Sequence, residues 1–126
     1  MILKNGKPPL NGKHKTRYAN GSVSSETSYK NGKRHGVCKY FLRNGIMRAT
    51  GKFDKGMMTG TWKWYRENGN LWQSGTFKNN KKNGPWVRYW PDGGLYDEGA
   101  FINNKKCGTW NNYSRDGKLV KTKKYK

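Results

Sequence analysis

Few residues in this chain are of a type that performs covalent chemistry, and the many that carry charge are nearly all of one sign. Lys and Arg number 27 against 7 Asp and Glu, a formal net charge of +20. The histidines are His14 and His35, and the one adjacent acidic pair is Asp97-Glu98. General acid–base catalysis needs a His, Glu or Lys held beside a second polar group. A metal site needs clustered carboxylates, Cys or His. The sequence spacing offers neither arrangement. A metal-independent nuclease using one His with Lys and Tyr would require scattered residues to converge, and no repeated carboxylate accompanies either histidine. Cys38 and Cys107 stand in no motif and are expected as free thiols. The chain therefore reads as non-enzymatic, with no cofactor and no small-molecule substrate, and its chemistry as charge attraction.

The cations recur at fixed places. One set is Lys30, Lys33 and Arg34, then Lys55, then Lys78, Lys81 and Lys82, then Lys105 and Lys106. A second column is Lys15, Lys39 and Lys63. Beside them run two columns of rings and guanidinium groups: Arg48, Trp72, Tyr96 and Val120, and Tyr40, Trp64 and Arg88. Lysines neutralise phosphates, and Trp, Tyr and Arg planes stack on unpaired bases, so this combination is a candidate surface for single-stranded nucleic acid. A structural reading stands beside it. Lysines in turns solubilise a protein and shield sheet edges, and outward rings can cover glycines in a two-sided sheet. Fewer charges than +20 would suffice for solubility.

These columns exist because the sequence repeats. Glycine recurs at Gly12, Gly36, Gly60, Gly84 and Gly108, and again at Gly21, Gly45, Gly69, Gly93 and Gly117, each series with a period of 24. Tyr29, Phe53, Phe77, Phe101 and Tyr125 form an aromatic column in step, and Val23, Met47, Leu71, Leu95 and Leu119 an apolar one. Trp62, Trp86 and Trp110 share one position, which Cys38 and His14 hold in the first two repeats. Phe41, Tyr65, Tyr89 and Tyr113 share another.

Within the best-formed unit, Gly60 to Asn83, extended segments run from Thr61 to Arg66 and from Asn70 to Phe77. Asn68-Gly69, with its Asn-Gly and Asp-Gly equivalents, predicts a tight hairpin turn, and Lys78 to Asn83 a longer one. Alternation places Leu71, Gln73, Gly75 and Phe77 on one face, with Trp72 pointing away. Trp62 and Tyr65 are three apart, so either a bulge brings them together or both faces are covered; the bulge is favoured. Gly51, Gly75 and Gly99 form a mid-strand column that a neighbouring ring is expected to cover. The acids Glu67, Asp92 and Asp116 fall in the Asn-Gly or Asp-Gly turns and the lysines in the others. Stacked hairpins would therefore carry one cationic rim, its rungs two strands or ~10 Å apart.

The fold class expected is all-β, an elongated single twisted antiparallel sheet of stacked hairpins in a single domain spanning 1–126. Its units are 12–35, 36–59, 60–83, 84–107 and 108–126, with 1–11 as an N-terminal half-repeat cap in which Leu3 to Lys7 echoes Tyr29 to Lys33. A mean hydropathy of −1.19 would read as disorder were the aromatic content not 14%. The first repeat lacks its Trp and its central Gly and is expected to be the loosest. The opening residues show no signal-peptide pattern, and no stretch approaches the ~20 apolar residues of a membrane span, which gives a cytoplasmic expectation.

The unit G-x-W-x-x-Y-x-x-x-G-x-L-x-x-x-G-x-F-x-N-x-K-x-x-G resembles the MORN repeat, and most of all the bacterial variant found in YwqK-like antitoxin proteins. The resemblance runs from Gly12 to Lys126 and is strongest from Gly60 to Tyr113. It implies a sheet of consecutive hairpins, and roles in protein scaffolding, binding of anionic phospholipid, or neutralising a toxin. The repeat supplies no catalytic residue. The basicity of this chain departs from the ordinary pattern and points toward polyanions. Three partner classes follow. The first is nucleic acid, RNA or single-stranded DNA, alone or within a nuclease complex. The second is a toxin or nuclease protein blocked by an antitoxin or a phage-type inhibitor such as an anti-CRISPR. The third is an anionic membrane surface.

Overall fold

A computed structural model describes residues 10–126. Most of the expected half-repeat cap 1–11, including Leu3 to Lys7, lies outside the described residues. Ten strands follow one another: β1 (Gly12–Arg17), β2 (Val23–Lys30), β3 (Lys33–Phe41), β4 (Met47–Asp54), β5 (Met57–Tyr65), β6 (Leu71–Lys78), β7 (Lys81–Tyr89), β8 (Leu95–Ile102), β9 (Lys105–Tyr113) and β10 (Leu119–Tyr125). They form a single open sheet in sequence order, every neighbouring pair antiparallel. The all-β sheet of stacked hairpins read from the sequence is the fold. Among the described residues no helix is long and apolar enough to cross a membrane. Gly36, Gly60, Gly84 and Gly108, read as unit starts, lie inside β3, β5, β7 and β9.

The two turn series are the reverse of the sequence expectation. The lysine-bearing connections are the tight ones. Lys78 pairs with Lys81 across only Asn79 and Asn80, both left-handed at φ 51° and 68°. Asn31-Gly32, Lys55-Gly56 and Asn103-Asn104 repeat that geometry, as a type I′ hairpin demands. The Asn-Gly and Asp-Gly connections are longer. In the first, the Gly21 amide bonds Tyr18 O and the Tyr18 amide bonds Ser22 O, and only Gly21 has positive φ. That is the three-residue loop ending in a left-handed glycine. Asn-Gly was the stronger hairpin signal but sits one position out of register for a two-residue turn.

Equivalent turns align on one edge, the turn rim, and are hydrogen-bonded across repeats. The amides of Gly32, Gly56, Asn80 and Asn104 donate to the carbonyls of Leu10, Arg34, Met58 and Lys82, at 2.8–3.1 Å. Where the turn residue is Asn, its side chain returns the bond. Asn80 Oδ1 accepts from the Met58 amide at 2.7 Å, and Asn104 Oδ1 from the Lys82 amide at 2.8 Å. The opposite edge, the loop rim, is tied likewise: Tyr18 Oη donates to Phe41 O, Arg66 Nη2 to Tyr89 O and Trp90 Nε1 to Tyr113 O.

One face carries the core. Cys38, Trp62, Trp86 and Trp110 are buried there with Phe53, Phe77 and Phe101. Ring contacts run edge-on from Phe53 to Trp62, Phe77, Trp86, Phe101 and Trp110, with centroids 5.1–6.4 Å apart. Each Trp lies across the mid-strand glycine of its neighbour. A Cβ on Gly75 would fall 2.1 Å from Trp86 Cδ2, and Gly51 and Gly99 face Trp62 and Trp110 as closely. This is the ring-over-glycine packing expected. The indole N–H groups donate to Lys52 O, Thr76 O and Ala100 O at 3.1–3.2 Å, so each buried Trp is polar-satisfied. Both cysteines are free, and burial pushes the Cys38 thiol above its ordinary pKa. In the first hairpin the aromatic zipper gives way to hydroxyls, Thr16 bonding Ser24 and Ser25.

Candidate binding surfaces

A bulge decides which side chains share a face. Trp64 pairs with Gln73 but Tyr65 pairs with Leu71, leaving Trp72 as an extra residue; Arg48 and Tyr96 are extra in the same way. By alternation Trp62 and Trp64 lie on the aromatic face, and Tyr65 lies with Leu71 on the other. The bulge expected from the Trp62–Tyr65 spacing is present, but it is on the partner strand and does not unite those two residues. It also overturns the one-face assignment of Leu71 with Gln73. The bulged residues instead join the aromatic face: Arg88 reaches both Tyr96, 5.1 Å from its ring centroid, and the neighbouring Asp97.

The residues read as one candidate site therefore divide among three places. Lys30 opposes Lys33, and Lys78 opposes Lys81, at the turn rim; Lys105 holds the same position opposite Ile102, and Lys55 is itself a turn residue. All of these lysines are exposed. An acid enters the described rim where Asp54 opposes Met57 and lies 3.5 Å from His35 Nδ1. Arg34, Lys82 and Lys106 leave the rim for the aromatic face. Lys82 Nζ stands 4.7 and 5.0 Å from the centroids of Trp86 and Phe101, Lys106 Nζ 4.6 Å from Trp110, and the Arg34 guanidinium 5.4 Å from Phe53. Part of the lysine array is thus held by cation–π contact with the core.

Lys15, Lys39 and Lys63 form an exposed row on the opposite face, at the register Lys15–Glu26–Lys39–Thr50–Lys63–Ser74. Glu26 lies 3.7 Å from Lys15. This row cannot act with Trp64, Trp72, Tyr96, Arg48 and Arg88, which are across the sheet. Trp64 is not an outward ring. It stacks at 6.2 Å on Trp62 and 5.7 Å on Trp86 and is half-buried. Trp72 is 42% exposed. Arg88 grips the buried Asp97 with Nε at 2.9 Å and Nη2 at 2.6 Å, and these bonds hold its guanidinium above its ordinary pKa.

The loop rim joins the candidates Trp72, Arg88 and Tyr96 with Arg66, Trp90 and Arg115, which sequence reasoning passed over. Arg66, Trp72, Arg88, Trp90, Tyr96 and Arg115 line an open cleft of about 310 Å³ together with Tyr89 and Pro91. Arg66 lies 5.8 Å from the Trp72 ring, Arg115 4.9 Å from the Trp90 ring, and Trp90 packs edge-on against Tyr96 at 4.6 Å. In the sequence these loops read as the acidic turns, through Glu67, Asp92 and Asp116. Among the described residues, however, neither Arg66 nor Arg115 makes an ion pair. The available signal was the loop column Tyr18, Leu42, Arg66 and Trp90, large until Ser114 ends it, where a loop needs only small polar residues.

Sequence comparison gives the class. The MORN repeat variant matches residues 10–31 and 58–79, and the MORN repeat matches 28–47 and 74–95, together more than half of the chain. The chain belongs to the MORN-repeat proteins, and a binding or scaffold role is the one such repeats carry. No curated protein matches the sequence. Among solved structures, a crystal structure of a GtfA/B complex bound to UDP and GlcNAc is similar at 11% identity and a TM-score of 0.35, over 93% of this chain and 24% of that one. The chain thus spans about a quarter of that structure's length, and the likeness is too slight to bear on function.

Proposed function

We propose that this chain is a non-enzymatic binding protein whose basic surfaces engage the phosphate backbone of nucleic acid, alone or within a nuclease complex. The observation that carries the reading is the turn rim. Like charges directly opposite one another on paired strands destabilise a sheet, yet Lys30–Lys33 and Lys78–Lys81 are such pairs, and the inter-repeat hydrogen bonds hold their turns in line. A bound polyanion would relieve that repulsion at both pairs. The exposed row of Lys15, Lys39 and Lys63 lies on the same face as these pairs, since Ser74 beside Lys63 and Lys78 beside Lys81 both alternate with the buried Phe77, so it widens the cationic surface inward from the rim.

The test is the salt dependence of binding to a labelled RNA or single-stranded DNA. Log K should fall linearly with log salt, by ~0.7 for each phosphate neutralised on a single strand. Lys→Gln changes at Lys30, Lys33, Lys78 and Lys81 should flatten the slope by ~0.7 for each lysine that met a phosphate. A slope indifferent to salt sinks the proposal. A one-to-one protein complex that survives moderate salt without nucleic acid would instead make the chain an inhibitor of a toxin or nuclease. Sedimentation with acidic vesicles alone would make it a membrane-surface scaffold.

A further inference from the structure

We infer that the loop-rim cleft between Trp72 and Arg115 is a pocket for one unpaired nucleotide, which makes the protein selective for single strands. The inference rests on the nucleic-acid reading above and adds a second, chemically different contact to it.

The walls of the cleft are fixed by two bonds between repeats and one ion pair within a repeat. Arg66 is tied to Tyr89 O at 2.9 Å, Trp90 to Tyr113 O at 3.2 Å, and Arg88 to buried Asp97. None of these restraints consumes the stacking surfaces. Trp72 remains 42% exposed, and the Arg115 side chain stands at the surface over Trp90. Arg66 Nε is a buried donor that no group among the described residues satisfies. A buried donor without an acceptor is costly, and a ligand acceptor that draws Arg66 toward the cleft would relieve that cost.

The composition of the walls selects the ligand. An acidic peptide would call for cations alone, and an apolar partner for rings alone. Here indole and phenol faces alternate with guanidinium groups, of which Arg66 and Arg115 have no carboxylate partner among the described residues. Guanidinium groups lying over indole and phenol faces offer flat cationic surfaces that fit a heteroaromatic base joined to a phosphate. A base inside a duplex is stacked on its neighbours and cannot enter, so the cleft discriminates against paired strands.

The experiment titrates the full chain into a fluorescein-labelled oligouridylate of about twelve nucleotides, a length within the usual range for one binding unit. An RNA duplex of equal length serves as comparison. Trp72→Ala and Arg115→Gln alter exposed side chains, and circular dichroism verifies that the sheet is intact. Each variant should weaken single-strand binding by about tenfold, the scale of losing one base stack. Duplex binding should stay as it was. Unchanged single-strand affinity in both variants, or an equal loss on duplex, overturns the pocket while leaving the backbone-binding role standing. No binding of either strand by the native chain at low salt sinks the underlying reading as well. Capture of a stoichiometric protein through Trp72 and Arg115, with no effect on oligonucleotide binding, also overturns it.

Discussion

Gly75 shows how little freedom the core leaves to a single residue. Its missing Cβ is the space into which Trp86 lies, and any side chain there would meet the indole at 2.1–2.5 Å. The indole cannot retreat, because its N–H is bonded to Thr76 O and its ring is wedged between Phe77 and Phe101, each 5.5 Å away. Gly75→Ala should therefore destabilise the protein by about 3 kcal/mol, the upper part of the range for overpacking. A urea melt should show the lower midpoint. Val37→Ala, at an exposed site on the opposite face, should stay within about 0.5 kcal/mol of the native chain by the same measurement. Equal midpoints for Gly75→Ala and the native protein would mean that the indole does not rest on that glycine.

At the scale of the element, the unit that matters is the tight turn with its bond to the previous repeat. Asn104 both closes its own hairpin in a left-handed conformation and exchanges two hydrogen bonds with Lys82. Asn104→Gly keeps the turn geometry and removes the side-chain bond, so it should cost about 1 kcal/mol. Asn104→Ala loses the bond and also strains the backbone, and should cost more. Thermal melts of the two variants separate these contributions. The period-24 columns made the number and order of hairpins legible in the sequence, because burial and ring packing repeat with the same phase. What the sequence concealed was register. A bulge at Trp72 inserts one residue and sends Leu71 and Gln73 to opposite faces, a choice made by cross-strand packing that no local pattern records. The candidate lysines and aromatics part by plain alternation as well: Lys39 and Lys63 adjoin Tyr40 and Trp64 on regular strands and so lie across the sheet from them and from Arg88. The loop-rim cleft was obscured for a related cause: its members come from three loops, two bulges and the end of β7, and only stacking of successive hairpins brings Arg66 and Arg115 into one neighbourhood.

For the whole molecule, the sheet is a linear array in which each hairpin touches only the next, and its two rims have different characters. The turn rim presents ammonium groups in line; the loop rim presents guanidinium groups among rings. Removing the last hairpin would shorten both rims by one step without disturbing the register of the others, the behaviour of a one-dimensional array.

The bonds that fix one turn to the turn before it also set a length standard. Successive turns are two strands apart, about 10 Å, while nucleotides in a stacked strand rise about 3.4 Å each. One hairpin step then corresponds to about three nucleotides, and the turn rim becomes a ruler graduated in triplets. The occupied length of a bound strand, read from a stoichiometric titration, should shorten by about three nucleotides for every hairpin deleted from the C-terminal end. A footprint independent of hairpin number would show that the strand does not run along the rim.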